Sequence, residues 1–282
     1  MIDFTIAQAA AVADLIRHAA DNHVMPYFRA PDRIDVRQKS GPTDLVTAAD
    51  LACEAALTPA LSALLPGSFV VGEEATAADP AALEALRGDA PVWIIDPVDG
   101  TMNFANGRPT FAVLVALAVG DVTVAGWIYD PIVNRLSWAV KGRGCFTNGE
   151  QVVVSGAEAG ALPLSEICGA ISSRFCAPEL GESLRRRAKG LRRHLCLGSA
   201  GQEYLHLIDS RLQASVYHRL MPWDHAAGVL LLEEAGGYAA LADGERPYTP
   251  YGGVDGGPLL CAVNRDTWLR LQDYLFAPPD AA

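Results

Sequence analysis

The chain has 282 residues, half of them hydrophobic, with a formal net charge of −11 and a sequence pI near 4.9. That length and apolar content supply a sizeable core and argue against bulk disorder. The acidity argues against a nucleic-acid backbone or an anionic membrane surface as partner, yet leaves room for a small phosphorylated molecule whose charge is met by bound cations. The six cysteines form no C-x-x-C pair, and their scatter predicts free, mostly buried thiols in a reducing compartment. No basic signal-peptide start is visible, and the longest apolar run, 111–119, is too short for a bilayer. The expected setting is therefore cytoplasmic, with no membrane partner.

Taken in chain order, Ile6, Ala9, Ala13, Ile16, Ala20 and Val24 recur at helical spacing and predict a helix over 5–28 that Pro31 ends. A short strand is expected over 34–38. Residues 47–65 read as an Ala- and Leu-rich helix that Pro59 should kink or restart. The strand expected over 68–71 delivers Gly72-Glu73-Glu74 at its end, and Asp79-Pro80 reads as the cap of a short helix reaching about residue 86. Residues 92–95 read as a buried strand that stops at Asp96. Strands over 111–119 and 122–129 flank Gly120-Asp121, a hairpin signal. A strand over 134–140 precedes the turn pair Asn148-Gly149. The second half alternates, with strands near 164–171, 191–196, 212–217, 238–241 and 259–263, and helices near 178–188, 199–208, 224–235 and 265–276. An antiparallel-rich half (about 1–155) followed by an alternating half (about 156–276) predicts layered α/β (α+β) architecture, expected as one domain over 1–282.

The most informative segment is Asp96-Pro97-Val98-Asp99-Gly100-Thr101, which follows the buried strand at once. Two hard oxygen ligands, a backbone carbonyl between them and an N–H-rich turn suit Mg²⁺ with a phosphate. Read alone, the same residues also describe a capped turn. Three further carboxylates share the placement. Glu73 ends a strand, Asp50 sits at a helix start in Thr47-Ala48-Ala49-Asp50, and Asp224 heads the helix beginning Asp224-His225-Ala226. Singly, each could be a solvated turn residue or serve a helix dipole. Together they put acids where open α/β sheets place ligands.

Lys39-Ser40-Gly41-Pro42-Thr43-Asp44-Leu45-Val46-Thr47-Ala48-Ala49-Asp50, Gly72-Glu73-Glu74, Asp96 to Phe104, Trp223-Asp224-His225-Ala226-Ala227-Gly228 and Glu234-Ala235-Gly236-Gly237 resemble the inositol monophosphatase family in order and spacing, from about residue 5 to 276. The resemblance implies an αβαβα sandwich of the inositol monophosphatase / fructose-1,6-bisphosphatase type. It also implies a Mg²⁺-dependent, lithium-sensitive phosphomonoesterase that forms a homodimer. By motif position, Glu73, Asp96 and the Val98 carbonyl would hold one Mg²⁺, and Asp96, Asp99 and Asp224 a second. Glu73 with waters could hold a third. A metal-activated water, oriented by Glu73 and Thr101, would attack phosphorus in line, with Asp50 accepting a hydrogen bond from the Thr101 hydroxyl. The Gly100 and Thr101 N–H groups would take phosphate oxygens, and Lys39 lies at a family lysine position.

The alcohol portion would meet Asp99, Ser199, Ala200, Asp224 and the residue seven positions before Asp224. The family carries an acidic residue there, whereas this chain has Tyr217, which puts inositol specificity in question. Myo-inositol monophosphate is the first expected substrate. 3′-Phosphoadenosine 5′-phosphate, fructose 1,6-bisphosphate and histidinol phosphate are alternatives, and a non-catalytic regulatory relative is the contrasting class. His225 is expected to pack or to support a ligand rather than to catalyse, Trp93 and Trp223 to anchor loops, and Arg185-Arg186-Arg187 to form a solvated face.

Overall fold

The computed structural model describes residues 4–30, 36–41, 44–156 and 160–277. The first predicted helix is observed as α1 (Ile6–Ala19), opened by a Thr5/Gln8 capping box and continued as a π turn and a 3₁₀ turn to Tyr27. Ala9, Ala13, Ile16, Ala20 and Val24 are buried, whereas Ile6 is exposed in the first turn. β1 (Val36–Gly41) pairs with a second strand absent from the sequence reading, β2 (Asp44–Thr47). Residues 34 and 35 of the expected strand lie outside the described residues. α2 (Ala48–Leu64) runs through Pro59 without restarting, because Leu57 and Leu61 are buried on either side of the proline and hold the axis against the loss of one hydrogen bond.

Next come β3 (Phe69–Gly72), α3 (Glu73–Ala78), β4 (Val92–Asp99) and α4 (Thr101–Ala105), then the antiparallel run β5 (Ala112–Val119), β6 (Val122–Asp130), β7 (Arg135–Val140), β8 (Cys145–Thr147) and β9 (Glu150–Val152). Asp79 caps the expected short helix, which is a 3₁₀ helix over Pro80–Arg87. Gly120 and Asp121 both have φ of 57°, the left-handed pair that a two-residue hairpin requires. The second half comprises β10 (Cys168–Ile171), α5 (Pro178–Ala188), β11 (Arg193–His194), α6 (Ala200–Ile208), β12 (Ala214–Tyr217), α7 (Pro222–Glu234), β13 (Tyr238–Leu241), β14 (Leu259–Ala262) and α8 (Arg265–Phe276). The strand expected from residue 164 begins only at Cys168, because a 3₁₀ turn follows Pro163.

The strands form a seven-stranded sheet, β3-β4-β5-β6-β7-β8-β9, and a five-stranded sheet, β11-β10-β12-β14-β13. Side-chain alternation along β4 and β5 sorts the layers. Trp93, Ile95, Val113, Val115 and Leu117 meet α1 and α2. Ile94, Leu114 and Ala116 face α6 and α7, whose far side meets Leu241, Leu259 and Cys261 of the second sheet. The outer face of that sheet, through Val216, Leu260 and Ala262, packs on α5 and α8. Five alternating layers result, αβαβα. No described helix is long and apolar enough to cross a membrane. All six cysteines are unpaired.

The central helix layer depends on close packing. A Cβ on Gly228 of α7 would lie 2.0 Å from Cδ2 of Tyr204, a ring that is fully buried on α6. Gly228→Ala should therefore destabilise the fold by about 1–3 kcal/mol or more in urea unfolding. Gly160→Ala, where nothing lies within 4 Å, should change it by less than about 0.5 kcal/mol. Equal midpoints for the two variants would contradict this packing.

Candidate active site

β4 does not stop at its first carboxylate. It continues to Asp99 with one irregularity, since Asp96 pairs with Leu114 and Asp99 with Ala112. Three steps on β4 match two on β5, which is a β-bulge over Pro97-Val98. In a regular strand residues three apart point to opposite faces. The extra residue resets the alternation, and both carboxylates lie on the face shared by Leu114 and Ala112, toward α6 and α7. The Val98 N–H donates to Asp96 Oδ1 at 3.0 Å, and Pro97 has no N–H to leave unpaired.

Glu73 comes alongside by register. β3 runs parallel to β4 with Gly72 opposite Ile95, so the residues following each pair, Glu73 and Asp96, leave neighbouring strand ends. Glu73 opens α3, whose first turn is held by a residue that the sequence reading did not single out. Glu54 of α2 accepts hydrogen bonds from the Glu74 N–H (2.9 Å) and the Ala75 N–H (2.8 Å). Its carboxylate occupies the space a Cβ on Gly72 would need, only 2.3 Å from that point. The available signal was the pairing of a mid-helix Glu with a glycine before Glu73-Glu74. Asp224 arrives from the first turn of α7. Oxygens of Asp96, Asp99 and Asp224 lie within 4.8 Å of one another.

Gly100 follows the bulge with φ of 90°, a conformation suited to glycine, and α4 starts at Thr101. The Thr101 hydroxyl lies 3.0 Å from the Val98 carbonyl oxygen and 3.3 Å from Asp50 Oδ1, so its single hydrogen is shared between them. Asp50 is fixed by a capping box, its Oδ2 accepting from the Thr47 N–H (2.8 Å) and hydroxyl (2.5 Å). Asn103, which carried no role in the sequence reading, donates through Nδ2 to the carbonyls of Thr110 and Leu197 (2.8 Å each) and Gly198 (3.2 Å). It fastens α4 to the loop that opens α6.

That loop grips Asp99. Ser199 Oγ donates to Asp99 Oδ2 (2.5 Å), the Gly201 N–H to the same oxygen (2.7 Å), and the Ala200 N–H to Oδ1 (3.0 Å). Ser199 and Ala200, expected to touch the alcohol portion of a substrate, hold the Asp99 carboxylate in this structure. Tyr217, expected beside the alcohol portion, has its side chain turned inward. It is 8 % exposed, its hydroxyl is closed off from solvent, and its ring stacks on Tyr204 at 5.5 Å. Strand alternation is the reason. Val216 faces α5 and α8, so Tyr217 points into the α6/α7 layer. His225 Nε2 donates to the Arg219 carbonyl (3.1 Å), leaving Nδ1 to accept from the Tyr204 hydroxyl (3.1 Å). Burial lowers its pKa to about 4, so it stays neutral and packs. Trp93 is fully buried against Phe4 and Trp127. The Lys39 side chain lies outside the described residues.

Electrostatically the cluster is a concentration of buried negative charge. Burial raises the Asp96 carboxyl well above the usual range, and the charges of Glu73, Asp99, Asp224 and Asp50 raise it further. Burial also raises Asp224, with Glu73 and Asp99 adding and Arg219 opposing. Asp99 is pushed up to about 6 by burial, against the pull of its three donors. None of the three makes an ion pair with a described Lys or Arg. Convergent hard oxygens without a cation fit a divalent metal ion such as Mg²⁺, and perturbed carboxyls of this kind mark functional sites.

A layered α/β fold with metal-competent carboxylates at its strand ends defines the frame of a metal-dependent enzyme. The profile of the inositol monophosphatase family matches residues 5–270. Inositol-1-monophosphatase of Bacillus subtilis is 32 % identical over 224 residues, covering 77 % of this chain and 80 % of that protein. A Thermotoga maritima protein named fructose-1,6-bisphosphatase/inositol-1-monophosphatase is 32 % identical over 206 residues, covering 73 % and 75 %. The extragenic suppressor protein suhB of Bartonella henselae shares the fold, with a TM-score of 0.81, 24 % identity and coverage of 98 % and 100 %. The chain belongs to the inositol monophosphatase family, whose members are phosphatases, hydrolases acting on phosphoric monoesters.

The carboxyl pKa shifts set the sign of a metal effect. Asp99 rises from 3.8 to about 6 in the fold, and Asp96 and Asp224 move the same way. A group raised on folding contributes stability below its unfolded value and loses it as pH rises through its folded value. Metal-free protein should thus lose this contribution above about pH 4 and have lost the Asp99 share beyond about pH 6. Mg²⁺ should raise Tm more at pH 7.5 than at pH 5, measured calorimetrically with and without chelator. Equal Mg²⁺ shifts at the two pH values would contradict the assignment.

Proposed function

We propose that this chain catalyses Mg²⁺-dependent hydrolysis of a small phosphomonoester, with myo-inositol monophosphate as the first substrate. The observation that carries the reading is the convergence of Asp96, Asp99 and Asp224 within 4.8 Å, beside a Thr101 hydroxyl shared between Asp50 and the Val98 carbonyl. Glu73, Asp96, Asp99, Asp224 and the Val98 carbonyl are the groups that would hold two Mg²⁺, and Glu73 with waters would hold any third ion. Bound there, Mg²⁺ would supply Lewis acidity, offset the phosphate charge and lower the pKa of water.

The protein's own groups divide the remaining work. Asp50 acts through Thr101, drawing its hydroxyl hydrogen so that Oγ presents lone pairs to the attacking water. Glu73 orients the same water from the neighbouring strand end. The water oxygen bonds to phosphorus as the bond from phosphorus to the alcohol oxygen breaks, and the proton that the water gives up ends on the alcohol oxygen, yielding inorganic phosphate and the alcohol. The Gly100 and Thr101 N–H groups lie at the opening of α4, positioned for a phosphate oxygen. The three donors on Asp99 keep that carboxylate ionised and in one orientation.

The relatives' names support inositol monophosphate, and the Thermotoga maritima name supports a sugar bisphosphate as a second reading. 3′-Phosphoadenosine 5′-phosphate and histidinol phosphate belong in the same panel. The intact carboxylate set argues against a non-catalytic regulatory role. Lithium sensitivity, a homodimer and a cytoplasmic setting belong to the same reading, the last supported by six unpaired thiols. Phosphate release from this panel with Mg²⁺ tests the proposal. Asp96→Asn should abolish it, since it removes charge central to the cluster. Wild-type rates in that variant, or no Mg²⁺-dependent release by the folded protein, would refute the reading.

Glu54 supplies an independent check, because it should position Glu73 without touching substrate. Glu54→Gln turns one acceptor into a donor facing the α3 N–H groups. Loss of such a supporting contact should raise the half-saturating Mg²⁺ concentration by about tenfold or more. Mg²⁺ titration of activity and of heat would show it. An unchanged Mg²⁺ requirement would remove Glu54 from the site.

A further inference from the structure

The rim of the site beside Asp224 carries cations that the hydrolysis itself leaves without a task. β10 and β12 are parallel neighbours, and open α/β sheets bind ligands beyond the carboxyl ends of such strands. The segments leaving them are tied together. The Ser172 N–H donates to the Val216 carbonyl (3.1 Å), and His218 Nε2 donates to the Ser172 carbonyl (3.1 Å). The segment after β12 then carries Arg219, whose carbonyl accepts from His225 beside Asp224 (3.1 Å).

Phe175 stands at the tip of the other segment. It is 61 % exposed with φ of 60°, an uncommon backbone state for a bulky residue. The Arg174 guanidinium carbon lies 5.0 Å from its ring centroid and that of Arg219 5.5 Å. A third guanidinium, that of Arg185, donates to Ser173 Oγ at 3.2 Å. Both Arg174 and Arg219 are exposed. Among the described residues neither makes an ion pair or a side-chain hydrogen bond, and the Phe175 ring is their shared contact. In a chain of net charge −11, two guanidinia gathered on one ring without a carboxylate partner stand out.

Guanidinium forks match phosphate geometry and stack on aromatic faces while keeping their N–H groups available. The scissile phosphate is met at the carboxylate cluster and Thr101, so a different anion is what this pair is placed to hold. We propose that Arg174 and Arg219, spaced by Phe175, form a subsite for a second phosphate on the alcohol portion of the substrate. The site therefore favours a bisphosphorylated polyol, sugar or nucleoside over the matching monophosphate. The proposal rests on the phosphomonoesterase reading and narrows its substrate class. Arg219 also opposes the upward displacement of the Asp224 pKa, which agrees with its place at the edge of the cluster.

The test is kcat/KM with Mg²⁺ for matched pairs: myo-inositol 1-phosphate and 1,4-bisphosphate, fructose 1-phosphate and 1,6-bisphosphate, and 3′-AMP and 3′-phosphoadenosine 5′-phosphate. At least one bisphosphate should lead its partner by about tenfold or more, mainly through KM, because the contact forms in the ground state as well. Added salt should shrink that lead. Arg174→Ala/Arg219→Ala should bring the ratio to within about twofold of unity, with thermal melting to verify the fold. The three pairs identify which alcohol carries the second phosphate. Ratios near unity in the wild type, or a lead that survives the double substitution, would overturn the subsite and leave the phosphatase reading standing. No Mg²⁺-dependent release from any of the six compounds would overturn both.

Discussion

One surplus residue in β4 decides where the carboxylate cluster lies. Without the bulge at Pro97-Val98, Asp96 and Asp99 would leave the sheet on opposite faces. One carboxylate would then be driven among the α1 and α2 contacts, where Trp93, Ile95 and Val98 are buried. The same irregularity brings the Val98 carbonyl within 3.0 Å of Thr101 and the Val98 N–H onto Asp96. Proline suits the position because the ladder is already broken there. Every other contribution is measured from that point. β3 brings Glu73 by parallel register, α7 brings Asp224 through its first turn, and the α6 loop closes on Asp99.

The gathered carboxylates are unequal, and the hydrogen-bond pattern shows why. Asp99 has three donors from the start of α6, and burial still holds its pKa near 6. Asp96 has one backbone donor and more negative neighbours, and burial together with those charges raises its carboxyl well above the usual range. The protein therefore stabilises the ionised form of one carboxylate with its own dipoles. The other two lie in a cluster whose geometry fits a cation as partner. This is the expected division when a metal ion is the largest local positive charge in a site.

Most layers were legible because they follow simple periods. Helices α5 and α8 match the sequence reading at both ends, and the Gly120-Asp121 hairpin is where its turn chemistry placed it. What stayed hidden involved contacts between distant segments or a change of period. The bulge was unreadable because an apolar run followed by acid looks like a strand that ends. Glu54 was hidden because a Glu within an Ala-rich helix reads as solvated until its contact with Gly72 is seen. Asn103 bridges to carbonyls more than ninety residues away. Counting seven positions back from Asp224 reached Tyr217, but counting is blind to alternation. With Val216 facing α5 and α8, Tyr217 is committed to the interior.

The inward turn of Tyr217 has a structural consequence on the alcohol side. With Tyr217 stacked on Tyr204 and Ser199 engaged with Asp99, two of the expected contacts to a neutral polyol are occupied within the protein. The groups left facing outward from the same strand ends are Arg174, Phe175 and Arg219. A guanidinium is a poor discriminator among neutral hydroxyls, because it donates hydrogen bonds and cannot accept them. It is a strong discriminator for a fixed negative charge. In the proposed reading, the chemistry at phosphorus depends on carboxylates fixed by the bulge, while selection of the alcohol falls to cations carried on the loops after β10 and β12.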